Sequence, residues 1–405
     1  MSEWKETEIG NIPADWDLLP IGEIGSVTKL AGFEYTKHIT YVEDGEIIAL
    51  RALNVRDGKL DLTDIKRIYR DVSDGLERSK LIKNDILFTY VGANIGQFAL
   101  VPENNKFHLA PNICRIRCSG NCDPYFLFSY FRSVYFKENL DGFSHGSSQP
   151  TMPMGSIRQI PVPIPPLPEQ RAIASVLSSL DDKIDLLHRQ NATLEKMAET
   201  LFRQWFVENP NPEWEERPLS EFGQIICGKT PSKKKPEYFD GEYPFIKIPD
   251  MHGKTFVFDT QDSLSEEGFL SQVKKALPAK SINVSCIATV GLVTMNAFPS
   301  QTNQQINSII TDDEYRYYLY CEMKNSYDLL HAMASGGTAT LNLNTGNFSK
   351  IPVLQPDEAT LDRFNDFVSP MFDKIFENQT QIRTLTALRD TLLPKLMSGE
   401  VRVKS

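Results

Sequence analysis

Short apolar runs broken by Gly, Pro, Asn and Asp give way to long stretches of heptad spacing, and this order occurs twice along the chain. Glu46–Leu50, Ile86–Tyr90 and Ile113–Ile116 are apolar runs closed by turn residues, the mark of short strands. Pro244–Ile248 and Ile282–Cys286 have the same character farther on, while Phe126–Phe136 and Tyr315–Leu330 carry helical spacing. Between the first strand-rich part and the first heptad stretch lies Ile160-Pro-Val-Pro-Ile-Pro-Pro-Leu-Pro168. Its prolines lack the donors that a helix or a central strand needs, so the segment is extended and stiff.

After Pro168, Ile173, Leu180, Leu187, Leu194 and Leu201 recur every seven residues, with Leu177, Ile184, Asn191, Ala198 and Trp205 four positions after each. The second stripe is Phe364, Met371, Asn378, Leu385 and Leu392, interleaved with Val368, Ile375, Ile382, Arg389 and Leu396. These stripes predict helices over residues 168–206 and 357–397. Pro168 suits a first helical position and Glu169 the positive helix start. Pro370 and Pro394 each remove an internal hydrogen bond, which predicts kinks or an end near Leu393, and Gly399 fits a C-terminal cap. One apolar stripe is also what a helix lying on a globular core shows. Two matching stripes, each with a seam asparagine, favour pairing with each other, the buried amides fixing register.

The duplication extends beyond the stripes. Trp16-Asp-Leu-Leu-Pro20-Ile-Gly-Glu23-Ile-Gly25 recurs as Trp214-Glu-Glu-Arg-Pro218-Leu-Ser-Glu221-Phe-Gly223, and Gly155-Ser-Ile-Arg-Gln-Ile160-Pro161-Val162 as Gly346-Asn-Phe-Ser-Lys-Ile351-Pro352-Val353. From there the copies stay in step without a gap, Asp182-Lys183-Ile184 matching Asp373-Lys374-Ile375. The expected division is a globule over 1–158, a spacer helix over 159–208, a second globule over 209–355 and a second helix with its tail over 356–405.

The 405 residues carry 43 Lys and Arg against 53 Asp and Glu, a formal net charge of −10. A protein that coats nucleic acid without selectivity is normally basic, so contact with DNA would have to come from local patches or basic partners. No apolar run approaches the roughly 18 residues of a membrane span, and the polar, acidic start lacks the basic and apolar segments of a secretory signal. The six scattered cysteines read as reduced thiols, and the expectation is a cytoplasmic protein.

Gly223-Gln-Ile-Ile-Cys-Gly228-Lys229-Thr230 fits the phosphate-loop pattern letter for letter. That chemistry needs a helix starting at the Lys and Thr, and Pro231 and Pro236 oppose one. Cys114, Cys118 and Cys122 form the densest cysteine cluster, with His108 and His145 as further conceivable ligands. Structural zinc uses two-residue spacings in pairs, so packing is the better reading of Cys114. No nucleophile–base arrangement, methyl-donor turn or base-methylating loop is recognisable, which points away from catalysis by this chain. Lys229, Lys233, Lys234 and Lys235 concentrate four positive charges beside Thr230 and Ser232, as phosphate neutralisation requires and as a solvated loop also shows. Lys247 is a further cationic candidate. Gly146-Ser147-Ser148-Gln149 and Gly336-Gly-Thr338-Ala-Thr340 occupy equivalent places in the copies. Their short polar side chains suit phosphate or base edges, and equally a tight turn.

With these residues in view the sequence resembles a known family. Thr7-Glu-Ile-Gly-Asn-Ile-Pro-Ala-Asp-Trp16 resembles the N-terminal motif of the specificity (S) subunits of type I restriction–modification enzymes, and Gly228-Lys-Thr-Pro-Ser232 with Glu237-Tyr-Phe-Asp-Gly241 resembles their target-recognition domains. Ile164-Pro-Pro-Leu-Pro-Glu169-Gln170 and Leu388-Arg-Asp-Thr-Leu-Leu-Pro-Lys-Leu-Met-Ser-Gly399 resemble their helical regions; Leu354-Gln-Pro-Asp-Glu358 departs from the first copy's form. The resemblance implies two α/β (α+β) recognition domains alternating with two long helices in an antiparallel coiled coil, with a pseudo-twofold repeat. It implies that each domain reads half of a split site in double-stranded DNA and that the helices set the spacing and dock modification subunits, two in number. A restriction subunit would complete the nuclease. This chain would hold no cofactor; S-adenosylmethionine, ATP and Mg2+ would belong to the partners. The rival expectation is a stand-alone DNA methyltransferase, or a nucleotide-binding protein using residues 223–230.

Overall fold

The computed structural model describes residues 3–56, 58–141, 151–335 and 341–403. The chain forms two compact units, Met1–Lys183 with Leu385–Ser405, and Ile184–Thr384. The division therefore falls inside both heptad stretches, where the sequence had suggested globule and spacer as successive segments. Each unit owns a part of both long helices, because each globular core is completed by helical residues.

In the first unit, Phe98–Leu100, Ile86–Thr89, Ile113–Cys118 and Gly25–Lys29 form an antiparallel four-stranded sheet in that order. A second sheet runs Phe107–Leu109, Ile47–Leu50, Lys66–Ile68, its first pair parallel. Alternation along Ile86–Thr89 serves two cores, since successive strand residues point to opposite faces. Ile86 and Phe88 pack with Phe126, Phe131 and Phe136, while Leu87 packs with Ile48, Leu50 and Leu109. The aromatics lie on Pro124–Arg132 and Val134–Asp141, the first capped by Asp123, whose Oδ1 accepts from the Tyr125 and Phe126 amides. The same first core takes in Ile173, Ala174 and Leu177 of one long helix and Leu393, Leu396 and Met397 of the other.

The second unit repeats this plan. Its larger sheet runs Gln224–Cys227, Ile306–Ile310, Ile282–Ser285, Val293–Asn296, with Phe256–Val257 added in parallel at the edge. The smaller runs Asp262–Leu264, Phe239–Ile246, Gln301–Thr302, and the helices are Asp313–Asn325 and Tyr327–Ala334. Its core includes Ala198, Phe202 and Phe206 with Leu361, Phe364, Val368, Phe372 and Ile375.

The duplicated sequence motifs meet in space within each unit. Asp17–Pro20 pairs antiparallel with Pro161–Ile164, and Glu216–Pro218 with Pro352–Leu354. The Tyr130 hydroxyl donates to the Pro161 carbonyl (2.8 Å), and Tyr318 to that of Leu354 (2.6 Å). Trp16 Nε1 donates to Glu169 Oε2 (3.2 Å), and Trp214 Nε1 to Asp357 Oδ2 (3.0 Å), so a repeated tryptophan holds each long-helix start. Arg402 lies over the Trp16 ring and pairs with Asp15 and Glu169, which ties the tail into the first unit.

The long helices span Leu167–Phe202, continued by a π-helical turn over Arg203–Glu208, and Glu358–Ser398. The expected end near Leu393 does not occur. The second helix continues through Pro370 and Pro394, and Gly399 with φ 77° ends it. One lost backbone bond at each proline is outweighed by packing on either side, from buried Val368 and Phe372 and from Leu393, Leu396 and Met397. Within the first unit Arg389 reaches Asp181 (3.0 Å); within the second, Phe202 packs on Phe364 and Asn191 faces Asn378. The numbering rises along one helix as it falls along the other, so the helices are antiparallel in both units.

Ile173, Leu177, Ile184, Leu187, Ala198, Phe364, Val368, Ile375 and Leu396 are buried along the stripes, and Leu180, Leu194, Leu201, Ile382 and Leu385 half-buried. At two positions the neighbour takes the buried place: Phe372 beside Met371, and Leu393 beside Leu392. There the helix packs on a globule as well as on its partner, and the buried face follows the 3.6-residue period of a straight helix.

Asn378 Nδ2 donates to Asn191 Oδ1 at 2.8 Å and to Gln190 Oε1 at 2.9 Å. Replacing Asn378 by Leu leaves the buried Asn191 amide without its partner. Unfolding in denaturant should show a loss of about 1–3 kcal/mol, and the double variant Asn191→Leu with Asn378→Leu should recover most of it.

Candidate nucleic-acid interface

In the second unit the strand Gln224–Cys227 leads into Gly228, whose amide donates to the Ile306 carbonyl (3.1 Å). A Cβ at Gly228 would stand 2.1 Å from the Asn303 carbonyl oxygen and 2.4 Å from that of Thr302, so the turn passes the 302–303 backbone only as glycine. The turn is then pinned on both sides. The Lys229 amide donates to the Thr302 carbonyl (2.9 Å), Gln272 Nε2 to the Lys229 carbonyl (2.6 Å), and Thr230 Oγ1 to Gln304 Oε1 (2.8 Å).

Beyond this anchor Lys229, Ser232, Lys233, Lys234 and Lys235 are exposed. Lys235 Nζ donates to the Tyr238 hydroxyl (2.8 Å) and lies 4.6 Å from the ring centroid; the hydrogen bond to Tyr238 raises its pKa above the usual lysine value. Among the described residues none of the four lysines stands in an ion pair with a carboxylate. The turn is anchored at Gly228, Lys229 and Thr230, and its ammonium groups have no carboxylate partner among the described residues, which suits a polyanion.

This geometry also disposes of the phosphate-loop reading. Residues 224–227 are strand, the turn after Gly228 closes on 302–304, and the first helical turn downstream is a single 3-10 turn, Pro236–Tyr238. No helix begins at Lys229 and Thr230 to offer its amides to phosphate.

Lys247 follows the strand Phe239–Ile246; its amide donates to Asp250 Oδ2 (2.9 Å) and its ammonium pairs with Asp262. The first unit has a counterpart that the sequence alone did not single out. Arg51 follows Ile47–Leu50, its amide donates to Asn54 Oδ1 (3.0 Å), and its guanidinium pairs with Asp64 (3.0 Å). The signal was available, because Leu50-Arg51-Ala-Leu-Asn54 and Ile246-Lys247-Ile-Pro-Asp250 share strand end, cation and capping amide or carboxylate. Arg51 lines a cavity of about 450 Å³ with Tyr35, Tyr41, Asn94 and Asn112.

Ser147, Ser148, Gln149, Thr338 and Thr340 lie outside the described residues, as does His145. The chain just beyond each of the two segments returns to an equivalent place. The Met152 amide donates to the Tyr90 carbonyl (2.9 Å), and that of Leu343 to Cys286 (2.8 Å).

The cysteine cluster has the electrostatics of packing. Burial pushes the Cys114 thiol up to about 12, and a hydrogen bond with Cys122, together with burial, raises Cys118. Both shifts favour the neutral thiol. Burial lowers the pKa of His108, whose Nδ1 lies 2.8 Å from the Leu109 carbonyl. No helix among the described residues is long and apolar enough to cross a membrane.

Comparison with known proteins agrees with this geometry. The family model for the type I restriction modification DNA specificity domain matches residues 13–196 and again 211–383. The HindI specificity subunit of Haemophilus influenzae is 32% identical, with 99% of this chain and 100% of that protein aligned. The MjaIX specificity subunit of Methanocaldococcus jannaschii is 26% identical over 100% of this chain and 97% of its own. Among solved structures, the S subunit from M. genitalium superposes with a TM-score of 0.63 at 16% identity, covering 94% of this chain and 96% of that one, a likeness of fold. Two matches of one family model, each taking in a two-sheet globule and its helical part, make this chain a member of the family of type I restriction–modification DNA specificity subunits.

Proposed function

We propose that this chain is the non-catalytic specificity subunit of a multisubunit DNA-modifying complex, and that each unit reads one half of a split site in double-stranded DNA. The observation that carries the reading is the Lys229–Lys235 turn. It sets four ammonium groups, none paired with a carboxylate among the described residues, on an anchored backbone in a chain whose net charge is −10. Overall acidity disfavours unselective coating of DNA, so attraction is confined to such patches and to basic partners. The long helices act as the spacer, and their solvent faces receive the modification subunits, two in this reading; a restriction subunit completes the nuclease. S-adenosylmethionine, ATP and Mg2+ are bound by those partners, and the assembly works in the cytoplasm.

Two measurements test this. Replacing Lys233 and Lys234 by Ala should weaken DNA binding by the assembled complex on every sequence, and the log–log salt dependence should flatten by about one unit for each phosphate no longer neutralised. An unchanged slope would leave this turn in solvent. The spacer is tested on the DNA. Two extra base pairs between half-sites displace one of them by roughly 7 Å and turn it by roughly 70°. A stiff helical pair cannot follow both changes, so methylation should fall almost to background with each half-site intact; a gentle decline would mean a flexible link.

A further inference from the structure

Each unit carries, at the same end of the same strand, a cation tied to an exposed carboxylate. In the first unit the Arg51 side chain is 21% exposed and Asp64 64%; in the second, Lys247 is 30% exposed and Asp262 42%. In both pairs the carboxylate is the outer member. Arg51 turns its donors toward Asp64, giving one terminal nitrogen to Oδ1 at 3.0 Å and to the Asp64 carbonyl at 2.9 Å, while its Nε is buried without a partner. The Lys247 backbone is held by Asp250 as the Arg51 backbone is held by Asn54. The arrangement fixes where the aspartate points.

In the second unit the pair lies beside the lysine turn, and in the first it lies at the edge of the cavity that Arg51 lines. The Ile246 carbonyl, one residue before Lys247, accepts from the Asn303 amide (3.2 Å), and Thr302 beside it holds Lys229. In the first unit the Leu50 carbonyl accepts from Ala110 (3.0 Å), and Asn112 just beyond lines the same cavity as Arg51. A carboxylate beside a cation is a poor phosphate contact, because it repels the anion that the cation would attract. Base edges differ: the major groove offers the amino groups of cytosine and adenine as donors, and a carboxylate accepts from them.

We infer that Asp64 and Asp262 are specificity-determining residues, each accepting a hydrogen bond from the exocyclic amino group of a cytosine or adenine in its own half-site. Arg51 and Lys247 are positioning residues that aim them. This rests on the half-site reading proposed above and assigns the base contact within it, whereas Lys229–Lys235 serve the phosphates.

The test uses the assembled methylating complex on a DNA library randomised across the site, with modified products sequenced. Wild type should favour an amino-bearing base at one position of each half-site. Asp64→Ala, which removes the acceptor, should abolish that preference at one position of one half-site, with discrimination changed by roughly tenfold. The other half-site and the salt slope should stay as in wild type. Asp262→Ala should do the same in the other half-site, and Asp64→Glu should retain the amino-bearing preference. Uniform weakening on all sequences with a flatter salt slope would make these residues part of the phosphate contact and overturn the inference. So would an unchanged base preference with only a lower unfolding temperature, the behaviour of a structural ion pair. A wild-type library with no two-part preference would overturn the half-site reading and this assignment together; a two-part preference that Asp64→Ala leaves untouched overturns this assignment alone.

Discussion

The structure depends on how each globule is closed. A chain that leaves a helix, builds two sheets and enters another helix must bring its entry and exit together. Here a short antiparallel ladder does so, Asp17–Pro20 with Pro161–Ile164 and Glu216–Pro218 with Pro352–Leu354. The ladders are rich in proline, which has no amide to donate, so neither could serve as the middle of a sheet. They are supplemented by the hydroxyls of Tyr130 and Tyr318 and clamped by Trp16 on Glu169 and Trp214 on Asp357. Within each unit the clamp holds a carboxylate at the start of a long helix.

The helices then answer to two partners, each other and a globule. Glu195 shows the second demand: on the first long helix it accepts from the Tyr320 hydroxyl (2.5 Å) and the Thr255 hydroxyl (3.2 Å) and pairs with Lys324 (3.3 Å). Arg383 on the second helix grips Asp259 through two bonds of 2.6 Å and lies over Phe258. A bidentate pair fixes angle as well as distance, so Arg383 orients the second helix against Asp259 of the globule. Asn191 and Asn378 supply the longitudinal constraint, because apolar seam residues can slip by a heptad at modest cost and a mismatched buried amide cannot.

The candidate interface divides its chemistry in the same economical way. In the proposed reading, lysines without a carboxylate partner among the described residues would give attraction without sequence information, and paired cations would hold carboxylates that discriminate. In the proposed reading the overall acidity confines attraction to such patches and to basic partners.

Strand runs, helical spacing and the two stripes were legible in the sequence, because each reflects a local period that solvent and core impose residue by residue. The duplication was legible for the same reason, and Gly228 was readable as part of a motif. The helix beyond Leu393 was not: Pro394 is a local penalty, and the compensation comes from Leu396 and Met397 meeting a core built mainly from residues before 183. Nor was the exchange of Met371 for Phe372, which depends on a third packing partner that a heptad count does not contain. Arg51 is marked in the sequence only by the five-residue likeness of Leu50–Asn54 to Ile246–Asp250, and its ion pair with Asp64, like that of Lys247 with Asp262, exists only in the fold. The sequence by itself determined the elements, their repetition and the family, all properties of short-range pattern. Which residues share a core, where the helices stop and which charges are already paired were decided by contacts between positions far apart in the chain, and those energies exist only once the chain has folded.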